Sequence, residues 1–267
     1  MQHVARLVCL LPVLLVAACA ERSEPTPPAA AASATAPVRV DYAAALAVPG
    51  RLGGDLEQDV RRKPAEVLAF FAVRPGMSAL DLFSGDGYYT ELLSAVVGPT
   101  GRVVAHNNSA YLNALGEALA QRFGDARRLP NVERLAAEAN ALELEPQRFD
   151  FVLLSNAYHD VYYVNEANGW LAIDGAKLLA EVFAGMKAGA TLGLIDHVAA
   201  PGSPAETGGT LHRIDPELVK RDFAAAGFVL ESESDLLRNP ADDLGKNVFD
   251  PTVRGQTDRF ILRFRRP

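Results

Sequence analysis

Cysteine is almost missing from this chain, and its two residues, Cys9 and Cys19, both fall at the extreme N-terminus. A disulfide framework or a cysteine-rich zinc site in the body of the protein is thereby excluded. Basic charge is also short: 26 Lys and Arg against 33 Asp and Glu give a formal net charge of −7 and a pI near 5.3. Nucleic acid is not an expected partner, because its electrostatic footprint needs clustered cations in excess. With 21 Gly and 17 Pro in 267 residues, collagen-like and low-complexity architectures are out. What is present is 49% hydrophobic content at 22% charge. That is the composition of one medium-sized globular domain, or at most two small ones, and not of a disordered chain.

Met1 to Arg6, the apolar run Leu7 to Val16 and then Ala17-Ala18-Cys19 have the charged start, apolar middle and small-residue end of an export signal. The run is too short for a membrane-spanning helix, which takes about 20 residues. Val16-Ala17-Ala18-Cys19 resembles the bacterial lipobox. The resemblance implies cleavage before Cys19, lipidation of its thiol, and sorting to the outer membrane permitted by Ala20; an ordinary signal peptide with a chance cysteine is the alternative. Cleavage removes Arg6 and no acid, so the charge of −7 becomes −8. Glu21 to Val38, with Pro25, Pro27, Pro28 and Pro37 among Ala, Ser and Thr, has neither helical nor strand period and reads as an extended tether. The expected organisation is a signal over 1–18, a lipidated cysteine and Pro/Ala-rich tether over 19–40, and a folded domain over 41–267. The protein is expected to be exported and held by its lipid at the periplasmic face of the outer membrane.

From Asp41 onward helical and strand patterns alternate, the signature of an α/β domain with a mainly parallel sheet. Helices are expected over Asp55–Val73, Tyr88–Val97, Tyr111–Phe123, Ala176–Met186 and Pro216–Ala226. Strands are expected over Met77–Phe83, Arg102–His106, Val132–Ala137, Phe149–Ser155, Thr191–Asp196, Phe228–Leu236 and Asp258–Arg265. The last strand alternates Phe260, Leu262 and Phe264 with Arg259, Arg263 and Arg265, which predicts one wet face, an antiparallel direction and a place at or near the sheet edge.

Asp81-Leu82-Phe83-Ser84-Gly85-Asp86-Gly87-Tyr88-Tyr89-Thr90 is a buried strand that ends in a Gly-x-Gly turn and enters a helix. Glycine there lets backbone N–H groups and the positive helix end approach a ligand. Thr90 at the third glycine position rules out the dinucleotide fingerprint. In element order the domain resembles the class I methyltransferases that use S-adenosylmethionine: a three-layer, doubly wound, seven-stranded, mostly parallel sheet with an antiparallel C-terminal strand. Within that fold it resembles a group of exported, uncharacterised methyltransferases, through Gly-Tyr-Tyr-Thr-Glu at 87–91, Tyr-His-Asp at 158–160, Leu-His-Arg-Ile-Asp at 211–215, Leu-Arg-Asn-Pro at 237–240 and Arg-Gly-Gln-Thr-Asp-Arg-Phe at 254–260. The resemblance implies S-adenosylmethionine as cofactor, held by Asp81, Phe83, Ser84, Gly85, Asp86, Gly87, Asn107, Asn140, Ala141 and Asn156. Three of these depart from the family pattern. Phe83 replaces a glycine; Asn107 and Asn140 replace acids that receive the ribose hydroxyls and the adenine amino group, and an amide lacks the charge-assisted strength of a carboxylate.

The histidines after the signal fall at or beyond expected strand ends: His106, His159, His197 and His212. In open α/β sheets that edge binds ligands. Three have a nearby aspartate in sequence: His159-Asp160, Asp196-His197 and His212 with Asp215. His159 is expected to act as base, Asp160 as its orienter, Tyr158 as a substrate or cofactor contact, and His212 and Arg213 as cleft-facing groups. The alternative for His159 and Asp160 is a local capping role. Asp215 is expected to cap the helix that Pro216 begins. Of Tyr88 and Tyr89, one ring is expected in the core and one toward the cleft. No close-spaced ligand motif such as H-E-x-x-H is present, so no metal is expected. Three readings stand: a lipid-anchored methyltransferase acting on a small molecule or envelope component, a non-catalytic ligand-binding lipoprotein on the same fold, and a His/Asp metal-dependent enzyme.

Overall fold

In the computed structural model, which describes residues 40–125 and 127–267, the apolar alternation of the strands becomes the two faces of one sheet. The signal, Cys19 and nearly all of the tether lie outside the described residues. The strands are β1 (Ser78–Leu82), β2 (Arg102–Asn107), β3 (Val132–Ala136), β4 (Phe149–Ser155), β5 (Met186–His197), β6 (Val229–Ser234) and β7 (Arg259–Arg265), in the order β3-β2-β1-β4-β5-β7-β6. Pairing is parallel from β3 to β5, and β7 runs antiparallel to both of its neighbours. The doubly wound sheet expected from the sequence is what forms.

Helices cover both faces. Ala79, Phe151, Leu153, Ile195 and Ile261 pack against α3 (Pro64–Phe70) and α4 (Tyr88–Val97). Leu80, Leu82, Leu154, Leu194 and Leu262 pack against α7 (Gly175–Gly185) and α9 (Pro216–Ala225). The period of 2 in the strands thus divides one chain between two cores. Shorter helices complete the layers: α1 (Tyr42–Leu46), α2 (Asp55–Arg62), α5 (Ser109–Ala114), α6 (Gly116–Phe123) and α8 (Thr207–Leu211). Among the described residues no helix is long and apolar enough to cross a membrane.

Some boundaries differ from the sequence reading for local reasons. The helix expected over 55–73 is two helices, because Lys63 adopts φ 43° and Pro64 starts the second. The helix expected over 111–123 begins at Ser109, where Asn108 Oδ1 accepts from Tyr111 N at 3.0 Å, and divides at Leu115. Strand β5 starts at Met186, but regular pairing with β4 resumes only at Thr191. Strand β7 lies one in from the edge strand β6, near the sheet edge and antiparallel as expected. Its expected wet face is covered at one end: Arg259 and Ile261 are buried, Arg263 and Arg265 stay partly exposed, and Arg259 and Arg263 donate to Arg61 O and Phe70 O at the last turns of α2 and α3.

Candidate active site

At the carboxyl end of β1 the chain turns sharply. Phe83 has φ 53°, and Ser84 N donates to His106 O at 2.8 Å, tying the turn to β2. Gly85 has φ +60°, with nothing within 4 Å of where a Cβ would stand, so the backbone is open there. Gly87 serves packing instead: a Cβ would lie 2.6 Å from the Phe123 ring. Asp86 Oδ1 accepts from Tyr88 N at 3.1 Å, and its carbonyl accepts from Arg122 Nε at 2.7 Å. The Arg122 guanidinium is buried and also binds Asp55 and Glu91. Asp81 lies beneath the turn, buried, accepting from Thr90 Oγ1 at 2.6 Å; desolvation pushes its pKa up to about 7 despite that bond. It supports the turn through its bond to Thr90.

The three asparagines have different fates. Asn107 clamps the turn, accepting from Gly85 N at 3.0 Å and donating to Gly85 O at 2.9 Å. Asn140 ties down the loop before α7, donating to Ala172 O and accepting from Asp174 N at 2.8 Å each; Ala141 beside it is exposed. Asn156, at φ 52° after β4, keeps a buried Oδ1 with no partner among the described residues, and Ser84 Oγ is likewise buried and unpartnered among them. Because β1 and β4 pair as neighbours, Leu82 beside Leu154, both orphaned oxygens lie at adjacent strand ends.

Beyond β4, Tyr158–Tyr162 forms a 3-10 turn that brings His159 and Asp160 to the same edge, both buried. The orienter of His159 is Asp196, not Asp160: Asp196 Oδ1 lies 2.7 Å from His159 Nδ1, and Oδ2 accepts from His159 N at 2.9 Å. Asp160 faces the other ring nitrogen, with Oδ1 3.3 Å from His159 Nε2 and 3.4 Å from His212 Nδ1, while its Oδ2 accepts from Tyr111 OH at 2.5 Å. Burial opposes charge on His159, but the Asp196 and Asp160 carboxylates outweigh it and lift its pKa to about 9. Asp160 is burdened by desolvation, yet His159, His212 and Tyr111 hold it below the usual carboxylate range. His197, whose Nδ1 meets Thr257 Oγ1 at 2.8 Å, is pushed well below its ordinary value by burial and then by His159 and nearby arginines.

Other expected site residues are elsewhere. Tyr158 points into the core, its hydroxyl on Asp222 Oδ2 at 2.9 Å and its ring against Phe223, because the 3-10 turn sends it away from His159. Arg213 is fully buried and binds Asp242, Lys246 O and Val198 O, so it closes a loop and cannot hold an anionic substrate. His106 is a core residue: Nε2 donates to Ala137 O at 3.0 Å, and burial lowers its pKa to about 4. Phe83 is buried, stacked on Tyr111, and both Tyr88 and Tyr89 are buried. Asp215 caps α9 as expected, accepting from Glu217 N at 2.9 Å.

The sequence reading missed Asp196 as partner of His159, and it missed Tyr111, Tyr163, Trp170 and Phe249. Trp170 sits 5.0 Å from the Tyr111 ring and 5.3 Å from that of Tyr163; Tyr163 and Phe249 each lie 5.0 Å from His212. These rings form an aromatic wall beside the histidines. The single tryptophan was the one compositional signal for it.

The model of the ubiE/COQ5 methyltransferase family matches residues 58–197, from α2 to the end of β5. A ubiquinone/menaquinone biosynthesis C-methyltransferase of Hahella chejuensis is 34% identical over 91 residues, 33% of this chain and 34% of the relative. Its namesake in Ectopseudomonas mendocina is 30% identical over 95 residues, 36% of each chain. The chain therefore spans about a third of the length of these curated relatives. Among solved structures, an S-adenosylmethionine-dependent methyltransferase from Aquifex aeolicus superposes with TM-score 0.54 at 22% identity, over 85% of this chain and 98% of its own. A geranyl diphosphate methyltransferase in complex with S-adenosylmethionine gives 0.56 at 14% identity, over 85% and 96%. At such identities the structural likeness speaks for the fold.

Proposed function

The chain belongs to the ubiE/COQ5 methyltransferase family, and from that premise we propose that it is an S-adenosylmethionine-dependent methyltransferase whose acceptor is a small molecule or an envelope component. The observation that carries this reading is the turn after β1. Gly85 leaves open backbone, and the buried, unpartnered Ser84 Oγ and Asn156 Oδ1 stand at neighbouring strand ends. Buried polar atoms without partners call for a ligand. The residues present fit the cofactor at its methionine end through Ser84, Gly85, Asp86 and Asn156. At the ribose end Asn107 still has a lone pair and an amide hydrogen beyond its bonds to Gly85. It meets the ribose hydroxyls as a neutral amide, more weakly than an acid does.

When bound, S-adenosylmethionine supplies an electrophilic methyl group. The chain's own task is alignment, which accounts for much of the rate in an in-line transfer. On the acceptor side, His159, Asp160 and His212 hydrogen-bond a polar acceptor group, and the Tyr111, Trp170, Tyr163 and Phe249 rings hold its apolar part. The ligand-binding alternative rests on Asn140, whose amide is spent on the loop at 172–174. Cys19 would anchor the enzyme at the periplasmic face of the outer membrane.

Tritiated methyl donor, incubated with the purified chain and envelope extract, tests the reading: label should enter an extract component. Gly85→Val, which fills the cradle and strains the backbone, should stop this, and no transfer by the parent chain rejects catalysis. Separately, Cys19→Ser should move the protein out of the detergent phase, and an unchanged partition rejects the anchor.

A further inference from the structure

We propose that His159 Nε2, Asp160 Oδ1 and His212 Nδ1 form a site for one first-row divalent cation of the zinc(II) type, with a coordination position left open. The three atoms lie within 4.8 Å of one another. Two of the three separations, 3.3 and 3.4 Å, run through Asp160 Oδ1. Ligand atoms bound at about 2.1 Å stand about 3.4 Å apart at tetrahedral angles and about 3.0 Å apart at octahedral ones. Both separations at Asp160 match the edges of such a polyhedron.

Asp160 Oδ1 is buried and makes no hydrogen bond of good geometry with either imidazole, while its sister oxygen is held by Tyr111 OH at 2.5 Å. The carboxylate is thus oriented by the tyrosine, with its free oxygen aimed between the two rings. His159 is fixed from behind: Nδ1 bonds Asp196, which leaves Nε2 as the nitrogen facing the cluster. A carboxylate behind a histidine is the usual support for a metal-bound imidazole, setting its tautomer and raising its basicity. Each imidazole could direct an N–H of its own at Asp160 Oδ1, yet neither makes a bond of good geometry there; a metal ion at the centre satisfies all three atoms at once.

His212 is brought to the site by close packing. A Cβ on Gly208 would stand 2.4 Å from His159 O, and one on Gly209 would stand 3.0 Å from Tyr162 O, so both glycines let α8 lie directly on the 3-10 turn. The helix then ends at His212, whose φ of 53° turns the chain back toward Asp160. Two imidazoles and one carboxylate suit zinc(II) or its first-row neighbours and not calcium or magnesium, which take oxygen donors. His212 is the partly exposed member, so entry and the open position lie on its side. The site stands independently of the methyl-donor reading, since a metal can bind whether or not the nucleoside does; with a metal bound, an acceptor's polar group meets the open coordination position in place of direct hydrogen bonds from these three side chains.

The test uses the full chain in detergent, stripped by a chelator and titrated with zinc(II) by calorimetry and with cobalt(II) by visible absorption. One saturable equivalent is expected, with the ligand-field bands of a cobalt site of low symmetry. His212→Ala, at the partly exposed position and with the fold checked by circular dichroism, should remove both. His212→Cys should restore binding with a thiolate-to-cobalt charge-transfer band. Asp196→Asn should weaken zinc binding about tenfold to a hundredfold. Zinc binding only in the millimolar range, or stoichiometric binding that His212→Ala leaves intact, overturns the proposal. If zinc binds and the nucleoside does not, the site stands and the methyltransferase reading falls.

Discussion

The carboxylate of Asp196 holds His159, 2.7 Å from Nδ1, although its neighbour in the chain is His197. His197 bonds Thr257 Oγ1 instead, although its ring lies only 5.8 Å from that of His159. The pairing of β4 with β5, Ser155 beside Ile195, brings Asp196 under the turn that carries His159. Asp196→Ala removes acceptors of a buried ring nitrogen and two backbone N–H groups. It should destabilise the domain by about 3 kcal/mol or more, as expected for breaking a buried ion pair. His197→Ala, which loses one bond to Thr257, should cost about 1 kcal/mol. Urea denaturation of both variants checks this; equal losses would contradict the cross-strand pairing.

Tyr158 lies next to His159 in sequence but belongs to the core. Tyr158→Phe should leave turnover unchanged and cost about 1 kcal/mol of stability, since Asp222 keeps its bond from Tyr162 at 2.5 Å. A large fall in turnover with stability intact would return Tyr158 to the cleft.

Much of the fold was legible because strands and helices write their periods into the chain: β4 and α4 appear with the expected bounds. The glycine turn was legible too, since Gly85 stands where a Cβ would close it. The burial of the Arg259 end of β7 was not, because Arg259 and Arg263 find helix-end carbonyls that only the tertiary structure supplies. The cluster was half legible. His159, Asp160 and His212 were named, yet their partners were assigned by sequence adjacency. Asp196 comes from the end of β5 and Tyr111 from α5, and the sequence spacing carries no record of that convergence.

Arg122 links the turn to α2 and α6. Arg122→Leu leaves the buried Asp55 carboxylate without its guanidinium, leaves Glu91 paired only with Arg128, and frees Asp86 O. The expected loss is about 3–5 kcal/mol in denaturant unfolding, with weaker nucleoside binding in whatever fraction stays folded. A variant as stable as the parent would refute the bridging role.

His106 gives the domain a defined acid sensitivity. Burial lowers its pKa from 6.5 to about 4. The folded chain therefore keeps it neutral while the unfolded chain takes up a proton. Its contribution is fully present above pH 6.5 and is lost as pH falls from 6.5 toward about 4. The loss is at most about 3 kcal/mol. His106→Gln should remove this component, so the stability gap between parent and variant should shrink as the pH is lowered through that window. A constant gap would show that His106 titrates normally.

Calorimetric titration of the full chain in detergent with S-adenosylmethionine and with its demethylated product tests the central claim most directly. The account predicts saturable binding of both, lost in Gly85→Val and retained in His212→Ala. No binding of either nucleoside at millimolar concentration would contradict it.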